Sequence, residues 1–202
     1  AKITTAVTVD TTAPTIGTLT ITDTGASATD GITNNGVVTV GGLEAGATWQ
    51  YSTDAGVTWN NGTGTSFTLA AATYAANAIQ MRETDVAGNV QTGTQIAKIT
   101  TAVTVDTTAP TIGTLTITDT GASATDGITN NGVVTVGGLE AGATWQYSTD
   151  AGVTWNNGTG TSFTLAAATY AANAIQMRET DVAGNVQSGL SLIHISEPTR
   201  RS

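Results

Sequence analysis

The sequence predicts an all-β fold made of two sandwich domains in tandem, and three observations lead there. The chain repeats itself: residues 1–91 and 97–187 are identical, and Ala1, Trp49 and Asn89 recur as Ala97, Trp145 and Asn185 at an offset of 96 residues. That period is too long for helical or leucine-rich solenoids and suits whole small domains in series. Within each period, short apolar runs alternate with period two and are punctuated by Gly, Asn and Asp clusters. No run of any length carries helical spacing, which argues against an α/β enzyme core.

The elements follow in order along the first period. After Pro14, residues 16–22 alternate, Leu19 and Ile21 on one face and Thr18, Thr20 and Thr22 on the other, as in a half-buried strand. A polar loop spans 23–36, a second strand 37–40, and a turn 41–46. Trp49 and Tyr51 alternate with Thr48 and Gln50 in the third strand. The Thr53-Asp54-Ala55-Gly56 turn leads into residues 57–59, read as the return strand of a tight hairpin, with a loop at 60–64. Phe67 and Leu69 mark another strand, 70–77 a corner, and Ile79 and Met81 the strand after it. Tyr74 is placed like the tyrosine of a tyrosine corner, whose hydroxyl bonds back to the backbone. Asp85 to Asn89 form a sharp loop, and the last strand runs from about Gln95 to Val105. About seven short strands with turn signals every eight to twelve residues or so are the pattern of an immunoglobulin-like β-sandwich, with Trp49 as its core tryptophan.

This register places the domain boundary inside the period. Residues 1–9 read as the last strand of a truncated preceding repeat, 10–105 as a complete domain, and 106–189 as a second domain lacking its final strand. The second domain is expected to be the less stable, unless residues 190–195 pair in place of that strand. The chain begins in mid-pattern and is expected to be a fragment.

Composition narrows the class. There are 24 Gly, 3 Pro and no Cys, which excludes a disulfide-stapled module and a thiolate metal site. No stretch approaches the roughly 18 apolar residues of a membrane helix, and no signal peptide is present. The net charge is −9, from 15 acidic and 6 basic residues. Such a chain does not bind nucleic acid through a basic surface, and it suits divalent cations, which take hard carboxylate oxygens.

The stretch from Val105 to Thr111, identical to that from Val9 to Thr15, reads as a joint between domains. Sandwich topology gathers the entry segment, the loop after strand two and the loop before the last strand at one pole. In the second domain these carry Asp106, Glu140 and Asp181, while Asp23 and Asp30 of the first domain face the joint from the other side. So much negative charge calls for a cation, and Ca2+ takes six to eight or so oxygens of mixed kind. The competing reading is that Asp and Asn here are turn formers that bond their own backbone. The metal is favoured for Asp106, Glu140 and Asp181; Asp23 and Asp30 admit either reading; Asp54 and Asp150 read as turn residues.

Ser52-Thr53-Asp54-Ala55-Gly56-Val57-Thr58-Trp59, repeated from Ser148 to Trp155, matches the Asp-box of sialidases and related propellers. That raises a remote enzyme reading. The box is a hairpin motif distant from the catalytic residues of those propellers, and each repeat holds one Arg where a sialidase needs several. No His lies within the repeats to activate a Ser or Thr. The chain is expected not to be an enzyme. Arg82, next to Glu83, reads as decoration of a solvent face.

Taken together, Val-Asp-Thr-Thr-Ala-Pro-Thr, Gly-Leu-Glu-Ala-Gly-Ala-Thr-Trp, Tyr-Ser-Thr-Asp-Ala-Gly-Val-Thr-Trp and Thr-Asp-Val-Ala-Gly-Asn-Val resemble the bacterial Ig-like repeats of giant type I-secreted (RTX, biofilm-associated) adhesins. The resemblance covers residues 1–189. It implies a surface-anchored array exported by Gram-negative bacteria, whose linkers bind Ca2+ and stiffen. The implied ligands are Asp106, Glu140 and Asp181, with Asp10, Glu44 and Asp85 at an upstream joint that is incomplete here. It also implies that the partners are neighbouring repeats of the same chain, and that host or biofilm ligands are met by domains absent from it. Two functions are weighed: an extender that holds a distant adhesive tip away from the cell, and an adhesive module that itself binds carbohydrate or a sister array. With 4 Trp, 4 Tyr and 2 Phe, mostly in core register, the extender is favoured.

The last residues depart from all of this. Leu190-Ser191-Leu192-Ile193-His194-Ile195-Ser196-Glu197-Pro198-Thr199-Arg200-Arg201-Ser202 has no repeat register and holds the only His. It resembles translated sequencing-adapter read-through, so 190–202 is expected to be a non-native tail.

Overall fold

The structure is a computed structural model that describes residues 1–187 and, as backbone, 193–196. Two compact units divide the chain, Ala1–Thr107 and Thr108–Ser202. Both are all-β, and no α-helix occurs among the described residues. Each has the architecture of an immunoglobulin-like β-sandwich.

Unit 1 holds β1 (Thr18–Ile21), β2 (Ile32–Thr33), β3 (Val37–Gly41), β4 (Thr48–Ser52), β5 (Asn60–Asn61), β6 (Ser66–Thr68), β7 (Ala72–Tyr74), β8 (Gln80–Thr84), β9 (Ala97–Lys98) and β10 (Val103–Val105). One sheet runs β1-β3-β6 and the facing one β5-β4-β8-β9; a third, short sheet, β2-β10-β7, closes the side. Period-two alternation sets the inner faces. Val38 and Val40 are buried while Val37 and Thr39 are exposed, and Leu19 pairs across to Val40. Trp49, Phe67, Leu69, Ile79 and Met81 fill the space between the sheets, with Ile99, Val103 and Val105 from the closing segment. Tyr51 and Phe67 stack at 4.2 Å between ring centroids. Trp49 is buried as expected, and its Nε1 donates to the Gly64 carbonyl at 3.1 Å. The Tyr74 hydroxyl donates to the Ala70 carbonyl at 3.0 Å, which makes the expected tyrosine corner.

Several elements differ from the sequence reading, each for a local reason. The return strand of the hairpin is β5, not residues 57–59; Val57 is exposed. Asp54 accepts both the amide and the hydroxyl of Thr58, and the Ser52 hydroxyl accepts the Gly56 amide. These bonds close 52–58 into a loop, so pairing resumes only at Asn60. The loop 23–36 contains β2 and the corner 70–77 contains β7. The last strand is broken: a 3-10 turn at Gly93–Gln95, then β9 beside β8, then β10 between β2 and β7. Glu83 is not on a solvent face. It is fully buried, because it shares the inward face of β8 with Met81. Its neighbour Arg82 does lie outward, with its guanidinium 4.2 Å from the Trp59 ring centroid and 2.7 Å from Gln50 Oε1.

Unit 2 holds β11 (Thr114–Thr118), β12 (Val133–Gly137), β13 (Thr144–Ser148), β14 (Asn156–Asn157), β15 (Ser162–Thr164), β16 (Gln176–Thr180) and β17 (Ile193–Ser196). Its sheets are β15-β12-β11-β17 and β14-β13-β16. Ile128-Thr129 and Ala168-Thr169-Tyr170 carry the same letters as β2 and β7 but form no strand. In unit 1 those segments are strands because β10 lies between them. Among the described residues of unit 2, nothing takes that place. β17 stands in register with Ala97-Lys98-Ile99-Thr100 by count, yet it pairs parallel with β11 rather than antiparallel with β16. The rest of the tail read as adapter-derived, 190–192 and 197–202, lies outside the described residues.

Candidate metal centre

Antiparallel pairing of β1 with β3 sets Thr18 against Gly41 and Ile21 against Val38. The loop after β3, with Glu44, therefore lies at one end of unit 1, and the loop after β1, with Asp23 and Asp30, at the other. The two acidic sets do not meet within the unit.

At the Glu44 end, the loop between β8 and β9 folds on its own aspartate. Asp85 Oδ1 accepts the Asn89 amide and Oδ2 accepts Asn89 Nδ2, both at 2.7 Å. These bonds, the Asn89 side chain foremost, hold the Asp85 carboxyl below its usual range. Asn89 Nδ2 also reaches the Asp10 carbonyl at 3.2 Å, and Asp10 Oδ1 accepts the Thr12 amide at 3.0 Å. Gln91 donates to the Thr15 carbonyl at 2.7 Å and accepts the Glu83 amide at 2.8 Å. The entry segment is thereby tied to β8.

Glu83 stands behind this loop. Its Oε1 accepts the Glu44 amide, while its Oε2 is buried without a hydrogen-bond partner. Unit 2 repeats the arrangement. Glu179 Oε1 accepts the Glu140 amide at 2.6 Å, and Glu179 Oε2 is buried and unpartnered. Asp181 accepts the Asn185 amide at 2.8 Å and its Nδ2 at 2.9 Å. Glu140 Oε1 accepts the Thr111 amide at 3.1 Å. Asp106 donates its amide to the Thr33 carbonyl at 3.0 Å, continuing the β10 ladder of unit 1.

At the other end of unit 1, Asp23 accepts the Gly25 and Gly31 amides at 3.2 and 3.0 Å, and Asp30 accepts the Ile32 amide at 2.9 Å. These bonds shape the loop in the manner of Asx turns. Asp54 and Asp150 are turn residues as read.

Whether the acidic set fits a cation follows from its free oxygens. Asp85, Asp181, Asp23 and Asp30 already accept local donors, and among the described residues no three acidic side chains stand grouped to hold a metal ion. Among the described acidic side chains, the buried oxygens that lack a donor are Oε2 of Glu83 and of Glu179, near the Glu44 and Glu140 carboxylates; in unit 2 the Gln187 Oε1 is buried without a donor as well. The residues thus fit a cation in part, through a buried glutamate that the sequence reading missed. Its signal was present: Ile79, Met81 and Glu83 continue one alternation.

These carboxylates make stability depend on pH in two windows. Burial pushes Glu83 and Glu179 above the usual 4.5; the Glu44 carboxylate adds to this for Glu83, and Glu140 and Asp181 for Glu179. The folded state then keeps a proton that the unfolded chain releases, so stability falls as pH rises from 4.5 through the raised folded value. Asp54 and Asp150 run the other way. The Thr58 and Thr154 hydroxyls and amides hold them at about 2 instead of 3.8, so their stabilisation is complete above 3.8 and lost as pH falls toward 2. The urea midpoint is expected to peak between the two windows. Glu83→Gln with Glu179→Gln should flatten the decline on the alkaline side and leave the acid side unchanged. An unchanged decline in the double variant would show that these glutamates ionise freely.

No protein-family model matches the chain, and no curated protein matches it.

Proposed function

We propose that the chain is part of a structural extender: tandem Ig-like repeats of a bacterial surface adhesin that hold an adhesive tip away from the cell, stiffened by Ca2+ and serving adhesion and biofilm formation. The observation that carries this reading is the repetition itself. One 96-residue period yields two sandwich units, each with its own core, with Trp49, Tyr51 and Phe67 of unit 1 and Trp145, Tyr147 and Phe163 of unit 2 clustered among the core residues. Aromatic side chains placed there support the packing of a spacer rather than the face of a carbohydrate-binding module. The charge of −9 and the donor-poor glutamates support a role for a divalent cation, with Asp106, Glu140 and Asp181 as the proposed ligands.

Small-angle scattering of a protein with two complete repeats tests this. Millimolar Ca2+ is expected to lengthen and stiffen the particle, and chelation to reverse the change. Asp106→Ala should abolish the response while each sandwich stays folded by circular dichroism. A scattering profile indifferent to Ca2+ and chelator would sink the stiffening mechanism.

A further inference from the structure

Each unit contains a peptide link that the fold sets up to react with its own side chain. Unit 1 holds three pairs of the kind, Asp30-Gly31, Asn35-Gly36 and Asn61-Gly62, and unit 2 repeats them as Asp126-Gly127, Asn131-Gly132 and Asn157-Gly158. In such a pair the glycine nitrogen can attack the preceding side-chain carbonyl carbon, because no Cβ shields it. Two conditions decide whether it does so in a folded chain. The glycine amide must be free of a hydrogen bond, and the side-chain carbonyl must be swung toward that amide.

Two of the three pairs fail. The Gly31 amide donates to Asp23 Oδ2 at 3.0 Å, and its neighbour is an acid, a poorer electrophile than an amide. The Gly62 amide donates to the Trp49 carbonyl at 2.9 Å. Asn61 Oδ1 accepts Gln50 Nε2 at 2.9 Å, which turns the carboxamide across the sheet toward β4. Unit 2 holds the same bonds: Gly127 to Asp119 Oδ2, Gly158 to the Trp145 carbonyl, and Gln146 Nε2 to Asn157 Oδ1.

The third pair meets both conditions. The Gly36 and Gly132 amides donate to no described residue. Asn35 Oδ1 accepts the Val37 amide, and Asn131 Oδ1 that of Val133, both at 3.1 Å. The ring closed by this bond runs through the carboxamide carbon and the glycine nitrogen, so the two are held on one side of the chain. The donated N–H also lies on the oxygen where charge develops when the carbon is attacked, as a donor does in an oxyanion hole. Packing keeps the glycine in place. A Cβ at position 36 would stand 2.6 Å from the Leu69 carbonyl oxygen, and one at 132 would stand 2.6 Å from that of Leu165. Asn35, Asn131 and Gly132 are half-buried and Gly36 is buried, so hydroxide reaches the pair in unit 2 with less obstruction.

We infer that Asn35 and Asn131 are self-modification sites, each converted through a cyclic imide to aspartate and isoaspartate. Hydroxide removes the glycine amide proton, and the nitrogen bonds to the asparagine Cγ. The bond from Cγ to Nδ2 then breaks, and Nδ2 takes a proton from water and leaves as ammonia. Water opens the imide in one of two ways. Cleavage at Cγ leaves aspartate; cleavage at the main-chain carbonyl leaves isoaspartate, whose backbone runs through the former side chain. Water is the only co-reactant. Either product adds negative charge at the end of unit 1 that carries Asp23 and Asp30. Isoaspartate also lengthens the backbone by a methylene just ahead of β3, where Val38 and Val40 owe their burial to strict alternation. The inference rests on neither Ca2+ nor the extender reading.

Incubation of the full chain in mildly alkaline buffer tests it, with fragment-ion mass spectrometry to locate the mass gained when an amide becomes an acid. The units share this sequence, so one signal reports Asn35 with Asn131 and another reports Asn61 with Asn157. Conversion at the first is expected to run about tenfold or more ahead of the second, since reaction at Gly62 or Gly158 waits on local opening of a main-chain bond. In guanidinium chloride the two rates should converge, because unfolding removes every bond that tells the pairs apart. An isoaspartate methyltransferase should label the folded, aged protein at 35 and 131. Three results would each overturn the inference: equal rates in the folded chain, faster conversion at Asn61 with Asn157, or conversion at Asn35 with Asn131 that begins only in denaturant.

Discussion

Calorimetry of the dilute, monomeric chain is expected to show two transitions, with unit 2 unfolding first. The letters of the two units agree through residue 187, so the difference comes from the closing segment. Unit 1 buries Ile99, Val103 and Val105, and no described residue of unit 2 replaces them. A fully buried aliphatic side chain contributes about 1.5–3 kcal/mol, so the three together are worth roughly 5–9 kcal/mol as an upper estimate. β17 offsets part of this by covering the edge of β11. A remaining gap of about 3 kcal/mol would separate the midpoints by more than about 10 °C in domains of this size. Methionine truncation assigns the peaks. Met81 and Met177 are both fully buried, and Met→Ala in a core costs about 2–5 kcal/mol. Met81→Ala should lower only the upper transition and Met177→Ala only the lower. Coincident melting of the two units would mean that the closing strand contributes little.

Gly62→Ala and Gly158→Ala should destabilise both units at an equivalent contact, with unequal consequences. A Cβ on Gly62 would stand 2.3 Å from ring carbons of the Trp49 indole, and one on Gly158 2.2 Å from those of Trp145, far inside van der Waals contact. Neither side has room to yield. The Gly62 amide is bonded to the Trp49 carbonyl at 2.9 Å, and the indole N–H is held by the Gly64 carbonyl at 3.1 Å. Overpacking of this kind costs about 1–3 kcal/mol or more. Unit 1 is expected to survive Gly62→Ala with a lower midpoint. Unit 2, in which no described residue takes the place of β10, is expected to lose its transition in Gly158→Ala, together with its share of the near-ultraviolet tryptophan signal. Midpoints that move by less than about 1 °C in both variants would show that the indole can shift aside, given the usual several degrees per kcal/mol.

What was legible in the sequence is what depends on neighbours close along the chain. The alternation of Thr18–Ile21 and Val37–Gly41, the burial of Trp49, the Tyr74 hydroxyl bond and the Asp54 turn all follow from patterns a few residues long. The strand identity of Ile32–Thr33 and Ala72–Tyr74 does not. It depends on β10, which is about thirty or more residues away in sequence from either, and the same letters in unit 2 show no strand without it. The Asp-box hid the true start of β5, since Val57 and Trp59 look like a strand while the Gly56 and Thr58 amides, donating to Ser52 and Asp54, hold the segment in a loop. For the acidic set, charge and position were legible, but not which oxygens are already spoken for. Asn89 and Asn185 take up Asp85 and Asp181, whereas Glu83 and Glu179 keep a bare oxygen under an adjoining carboxylate.

The folding unit and the repeated text are out of phase, since the strand that closes unit 1 belongs to the opening residues of the next period. In an array of identical periods this offset has a genetic consequence. Unequal recombination between any two copies removes or adds whole periods, wherever the crossover falls. Every internal domain then still finds its closing strand in the period that follows. A change in the number of periods then leaves every internal domain with its closing strand and needs no redesign of a single core.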